Sequence, residues 1–275
     1  MMPAQAMESV AAASPPLLSA NRKPEAQASL VRPSVQLANV GKVHGGVELL
    51  RGVDCDVAPG ELVCVIGPPG SGTSMLLAMV AGLEDASSGR ILCHGRPVRR
   101  TGSDRALLGQ NPGLLPWLDA RRNVEFALRQ SPLAAFERAA IARRCLDQVS
   151  MHRLASTLAD ELAEGDQHRV ALALALAHDP AVLLFDEPFA GLDAHDRASL
   201  HHELEALWIA TRKTVVFATH DAEEAVMLAD RIVVLTRAPG RVLVEIDVDL
   251  PRPRRADDAS LRAAVCDLGR YLAER

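Results

Sequence analysis

Three short stretches of this chain hold the residue types that phosphate chemistry needs. Residues 67–75 read GPPGSGTSM. Glycines let backbone N–H groups turn inward around a phosphate, and a helix starting just after them adds a favourable dipole. The full pattern of such a loop places a lysine before its hydroxyl residue. Here Thr73 stands in that place, ahead of Ser74, whose hydroxyl is positioned to ligate Mg2+. Residues 181–194 read AVLLFDEPFAGLDA. Asp186 can hold Mg2+ through water, and Glu187, one residue on, can orient or deprotonate an attacking water. A bare Asp-Glu pair at a strand end is more simply a pair of solvated carboxylates; the PFAGLD that follows favours chemistry. Residues 217–225 (FATHDAEEA) put His220 directly after an apolar run.

Positioning these groups takes strands that end where they begin. Residues 61–66 (ELVCVI), 181–185 (AVLLF), 214–218 (TVVFA) and 231–235 are short, nearly continuous apolar runs. They alternate with helical stretches, the first being 75–80 after the glycine loop. Such alternation predicts an α/β fold with a largely parallel sheet covered on both faces. Ligands of such sheets belong at the carboxyl ends of the strands, where Asp186, Glu187 and His220 stand. Residues 35–40 alternate apolar and polar as an exposed-edge strand does, and 47–57 follow as a second strand, giving an antiparallel β edge. Residues 121–150 read as helical with a break at Pro132, so about 111–165 form a helical subdomain inserted into the core. Residues 1–33 are rich in Ala, Pro and Ser without a period and read as a disordered tail. The folded domain spans 34–256, and 257–275 read as a closing C-terminal helix.

The bulk properties narrow the function classes. A composition 48% hydrophobic over 275 residues supports a sizeable core. A net charge of −5 argues against a general nucleic-acid binder. The five cysteines are scattered without zinc-ligand or paired spacing, which predicts a reduced, cytosolic chain. No apolar run reaches the ~18–20 residues that span a bilayer, and no signal peptide opens the chain. Any membrane role must then come through a partner. His201 and His202 read as a solvated helix face; Arg99, Arg100, Arg252, Arg254 and Arg255 read as surface charge.

In order and spacing, the glycine loop, FDEPFAGLDA and FATHDAEEA resemble the ATPase subunits of ABC transporters. Residues 105–116 (RALLGQNPGLLP) add that family's glutamine loop, with Gln110. The run LLPWLDARRNVEFAL, followed late by LADRIVVLTRAPGRV and DLPRPR, is similar to the nitrate/sulfonate/taurine branch of bacterial importers. The resemblance covers about residues 34–256 and implies a P-loop NTPase-type cassette that binds ATP and Mg2+. It implies that Gly67, Pro68, Pro69, Gly70, Ser71, Gly72, Thr73, Ser74 and Met75 surround the phosphates and that His44 lies by the adenine. Ser74, Gln110 and Asp186 would be the metal's neighbours. Glu187, His220 and Gln110 would act on the attacking water and the γ-phosphate. Leu162, Ala163, Glu164, Gly165 and Asp166 would be the signature facing the other subunit's ATP, and Asp193 the loop that crosses to it. The implied partners are a second ATPase subunit (identical or not), an integral-membrane permease and, indirectly, a periplasmic solute-binding protein. That places the chain on the cytoplasmic face of the membrane. Residues 111–122 would touch the permease, where Leu114, Leu115 and Trp117 suit an interface or the subdomain's own core.

Several departures from the family fall on ATP contacts. Thr73 replaces lysine, Pro69 offers no N–H donor, and Met75 replaces a usual hydroxyl. LAEGD stands where the family has LSGGQ, so Ala163 lacks the hydroxyl. Glu164 and Asp166 bring carboxylates that cap and complement the helix and repel a phosphate. His44 replaces an aromatic residue. These losses touch both halves of each shared ATP site, while Gln110, Asp186, Glu187, Asp193 and His220 remain. The implied function is an importer's ATP-binding subunit with impaired hydrolysis. The alternatives are a fully active transporter ATPase and a soluble regulatory or adaptor protein that retained the fold.

Overall fold

The computed structural model describes residues 18–21 and 32–273. The chain opens with β1 (Leu18–Asn21), β2 (Val35–His44), β3 (Val47–Val57) and β4 (Leu62–Ile66), then α1 (Thr73–Ala81). Three short strands follow, β5 (Ser88–Cys93), β6 (Arg96–Pro97) and β7 (Arg105–Leu108). Next come α2 (Ala120–Ala127), α3 (Ala135–Gln148) and α4 (Glu164–Leu176). The second half runs β8 (Val182–Asp186), α5 (Ala194–Thr211), β9 (Thr214–Thr219), α6 (Ala222–Leu228), β10 (Arg231–Leu235), β11 (Val242–Val248) and α7 (Ala259–Ala273).

Seven strands form one sheet in the order β1-β11-β10-β4-β9-β8-β7. From β10 to β7 all pairings are parallel, while β11 and β1 add antiparallel strands at one edge. A second, antiparallel sheet has the order β3-β2-β5-β6. Every residue of β4 is buried, which is why it reads as an unbroken apolar run: both of its faces are covered. The pleat still sorts the side chains. Val63 and Val65 pack with α1 and the antiparallel sheet, through Leu37, Val53, Leu76 and Leu77. Leu62, Cys64 and Ile66 face the other core, with Leu172 of α4, Leu204 of α5 and Val226 of α6. Val124, Leu128, Ala142 and Leu146 extend that core into the helical region, where the chain leaves helix between Leu128–Gln130 and α3, around Pro132.

The structure corrects four local readings. β2 is not an edge strand; it lies between β3 and β5. Alternation marks a strand with one wet face, and inner strands of an antiparallel sheet share that feature with edges. Leu18–Asn21, inside the stretch read as a tail, pair antiparallel with the free side of β11. Main-chain pairing along an open edge needs no side-chain pattern, so the sequence of β1 gives no sign of it. The rest of the tail reading, at residues 1–17 and 22–31, lies outside the described residues, as do 274–275 at the end of the closing helix. His201 is buried, packed edge-on against Phe189 with ring centroids 4.5 Å apart, whereas His202 is exposed. His201 shares its helix face with the buried Leu204 and Trp208, three and seven residues on.

Arg254 is also buried rather than surface charge: its guanidinium donates to the carbonyl oxygens of Val226, Ala229 and Val248. Burial pushes its pKa down to about 10. Arg252 stacks on Trp208 and pairs with Glu205 and Asp230, both at 2.9 Å. Arg99, Arg100 and Arg255 are exposed, as the sequence suggests.

Candidate functional site

β4 delivers the chain into the glycine loop. Gly67 is buried, and a Cβ there would sit 2.6 Å from the Ser71 hydroxyl, so only glycine fits. Gly72 has φ 88° and precedes α1 without a side-chain cap, so the first-turn N–H groups keep the free donors of an uncapped helix start. Ser71 Oγ is buried without a hydrogen-bond partner among the described residues. The loop contains no Lys or Arg, and Thr73, where a cation would stand, is 3% exposed. Its side chain faces protein rather than the space in front of the loop.

The carboxyl ends of β8 and β9 bring the acidic groups and the histidine beside this loop. Ser74 Oγ donates to Asp186 Oδ1 at 2.8 Å. Burial raises the Asp186 carboxyl above its usual range, and the Ser74 hydrogen bond and the His220 charge oppose that rise. A hydroxyl beside a carboxylate is the hard-oxygen pair that Mg2+ accepts when substrate phosphates complete its shell. Among the described residues no cluster of three or more His, Cys, Asp or Glu could hold a metal alone.

Glu187 has φ 47°, and its N–H donates to Ala218 O on β9 at 2.9 Å. That turn aims its carboxylate at two groups. Gln110 Nε2, just past β7, donates to Oε2 at 2.9 Å, and His220 Nε2 lies 2.8 Å from Oε1. The other ring nitrogen of His220 lies 2.5 Å from the Gly67 carbonyl oxygen. A carbonyl oxygen can only accept, so the Gly67 contact is made by Nδ1–H. Both Glu187 oxygens are therefore engaged within the chain. Beside them opens a cleft of about 470 Å³, lined by Glu187, Phe189, Arg197, Thr219, His220 and Asp221.

The signature stretch occupies a different place. Leu162 is buried, Ala163 is the N-cap residue of α4 and makes no side-chain cap, and Glu164 and Asp166 lie in the first turn. The expected capping by these carboxylates is thus absent. Asp166 instead pairs with Arg169 at 2.9 Å, and Arg169 pairs with Glu203 of α5. Arginine on the same helix face drew the carboxylate away from the backbone. A Cβ at Gly165 would meet the Asp196 carboxylate at 2.6 Å, so glycine lets α5 approach. Among the described residues, no hydrogen bond or ion pair joins 162–166 to the glycine loop. Asp193 caps α5, accepting from the N–H groups of His195 and Asp196, which hold its carboxyl below the usual range. His44 is exposed at the end of β2, Trp117 is 70% exposed, and Leu114 packs against the core.

Sequence reasoning missed His168. Buried on α4, it has Nδ1 2.9 Å from Glu164 O and Nε2 3.3 Å from Gln110 O, linking the signature helix to the glutamine loop. Its place, four residues after Glu164 on the same helix, was a usable signal. It also missed Glu224, which holds the Thr219 hydroxyl.

The chain is similar to known ATP-binding proteins over most of its length. A family model described as ABC transporter matches residues 50–190. The aliphatic sulfonates import ATP-binding protein of Xanthomonas axonopodis pv. citri is 41% identical over 238 residues, covering 85% of this chain and 94% of that protein. The nitrate import ATP-binding protein of a Synechocystis species is 39% identical over 212 residues, 77% of this chain and 79% of that one. Among solved structures, a bacterial ABC transporter cassette in dimeric form superposes with a TM-score of 0.69 at 29% identity, covering 78% and 98% of the two chains.

Proposed function

The chain belongs to the ABC transporter family of ATP-binding subunits, and from that premise we propose that it serves an importer of a small anionic solute, of the nitrate or sulfonate kind, while gripping ATP weakly and hydrolysing it slowly. The observation that carries the reading is the pairing of an assembled catalytic end with an ungripped phosphate loop. Ser74–Asp186 and Gln110–Glu187–His220 stand within hydrogen-bond distance of one another, and the loop beside them has no cation.

Backbone N–H groups of Gly70, Gly72 and the first turn of α1 would hold the phosphates. Ser74 and Asp186 would hold Mg2+, which neutralises charge on the phosphates when bound. Glu187 would orient the attacking water once one of its oxygens leaves Gln110 or His220, and the freed His220 Nε2 would face the γ-phosphate. Two losses would weaken the opposing half-site: Ala163 has no hydroxyl to offer the partner subunit's nucleotide, and Glu164 sets a carboxylate near it. A second ATPase subunit and a membrane permease are the proposed partners, with the permease meeting the exposed Trp117 and Phe126. No helix among the described residues is long and apolar enough to cross a membrane, which suits attachment through that permease on its cytoplasmic side.

The intact Gln110–Glu187–His220 contacts favour a second reading, a fully active ATPase whose backbone donors and metal suffice. Restoring Thr73→Lys, Ala163→Ser and Glu164→Gly together separates the two. The proposal expects ATP turnover well above the parent chain. Equal turnover would show that these positions do not limit the reaction.

A further inference from the structure

The contacts of the His220 ring leave open what fixes the backbone that carries it. β9 ends at Thr219 and α6 begins at Ala222, so His220 and Asp221 form a joint of two residues. The Thr219 hydroxyl spans that joint. It donates to Glu224 Oε2 at 2.6 Å and accepts from the Asp221 N–H at 3.0 Å. One hydroxyl therefore ties the end of the strand, the residue after His220 and the first turn of α6 together.

Glu224 is 6% exposed. From α5, His201 brings Nε2 to 3.8 Å from Glu224 Oε1, and that nitrogen is buried without a hydrogen-bond partner among the described residues. The same His201 ring packs on Phe189, two residues after Glu187. Arg197, one turn earlier on α5, donates to Leu192 O and lies 3.8 Å from Asp221. α5 thus presents Arg197 to Asp221 within the joint and His201 to Glu224 just beyond it. A carboxylate buried this far is costly unless it is hydrogen-bonded, and an apolar side chain would fill the same space more cheaply. What the acid adds is a charge-assisted grip on a hydroxyl, roughly twice as strong as a neutral one.

We propose that Glu224 is a positioning residue for His220: through the Thr219 hydroxyl it locks the joint so that the imidazole meets Gly67 and Glu187 at once. The purpose of the lock rests on the reading of His220 as a nucleotide-facing group, but the lock itself is built from the chain's own residues. Without it, the joint turns about the bonds flanking His220 and the ring leaves one or both partners.

The test is nitrogen NMR of the histidine rings in the full chain, with the His220 signals identified by their loss in His220→Gln. Glu224→Ala, Glu224→Gln and Thr219→Val are compared with the parent, each checked for folding by its thermal melt. In the parent, the His220 ring nitrogens are expected away from free-imidazole values. They move toward those values in Glu224→Ala and Thr219→Val and stay in place in Glu224→Gln, whose amide oxygen still accepts from Thr219. Unmoved His220 signals in folded Thr219→Val would overturn the proposal. That variant decides alone if Glu224→Ala does not fold, since it deletes one hydroxyl at nearly constant shape. Adding ATP to the parent separates the two readings: if His220 ignores ATP but responds to Thr219→Val, the nucleotide-facing role falls and the lock stands.

Discussion

Replacing Thr73 with lysine is the sharpest perturbation of the phosphate grip. Thr73 opens α1 directly behind the glycine loop, and its side chain is 3% exposed. A lysine stem there has to run out past Gly72 to the phosphates. At 4 Å and an effective dielectric of about 20, an ammonium and one phosphate charge attract by roughly 4 kcal/mol. The loop is open to water beside the exposed Ser74, so dehydration and screening remove about half of that. The remaining ~2 kcal/mol corresponds to about 30-fold tighter binding. Calorimetric titration with a non-hydrolysable ATP analogue and Mg2+ reads the change directly, and a thermal melt of the variant shows whether the longer side chain strains α1. Unchanged affinity in a variant that melts where the parent does would refute the reasoning. It would mean that backbone donors set the affinity and that the absent lysine is not the limiting departure.

Two further outcomes follow from burial. Desolvation pushes the thiols of Cys55 to about 12, Cys93 to about 11, and Cys64 and Cys145 upward as well, so these four stay protonated and shielded near pH 8. Cys266 is exposed, and maleimide labelling followed by mass spectrometry should find it modified fast and the other four only on unfolding. Arg254→Met should destabilise the fold by ~2–4 kcal/mol in urea denaturation, because it strips donors from buried carbonyls of α6 and β11, and each carbonyl left unpaired costs ~1–3 kcal/mol. The relief of a buried charge keeps the sum from being larger, and a loss under ~1 kcal/mol would show that the carbonyls find other donors.

Much of the site was legible because its elements are local. The run 61–66, the glycines after it and the helix at 75–80 specify strand, loop and helix within one stretch of chain, and β4 and α1 fall there. The parallel strands carrying Asp186, Glu187 and His220 announced themselves as unbroken apolar runs, since both their faces are covered. What stayed hidden depends on residues distant in the chain. Nothing in LSAN says that β11 leaves an edge free for it. Nothing around His201 says that α6 will bury it against Glu224, and the PRPRR stretch looks like surface charge until the carbonyls of Val226 and Ala229 converge on Arg254. The link from His168 to Gln110 joins residues 58 positions apart. The capping reading of Asp166 failed for a shorter-range reason: an arginine one turn on competes better for a carboxylate than the helix N-terminus does.

Phosphate release from Mg-ATP by the purified chain, beside an identically purified Glu187→Gln variant, tests the central claim most directly. A cassette that grips ATP weakly and leaves Glu187 closed against Gln110 and His220 predicts slow release by the parent, only slightly above that of the variant. A parent clearly faster than its variant would contradict the account and establish an ATPase that works without the lysine.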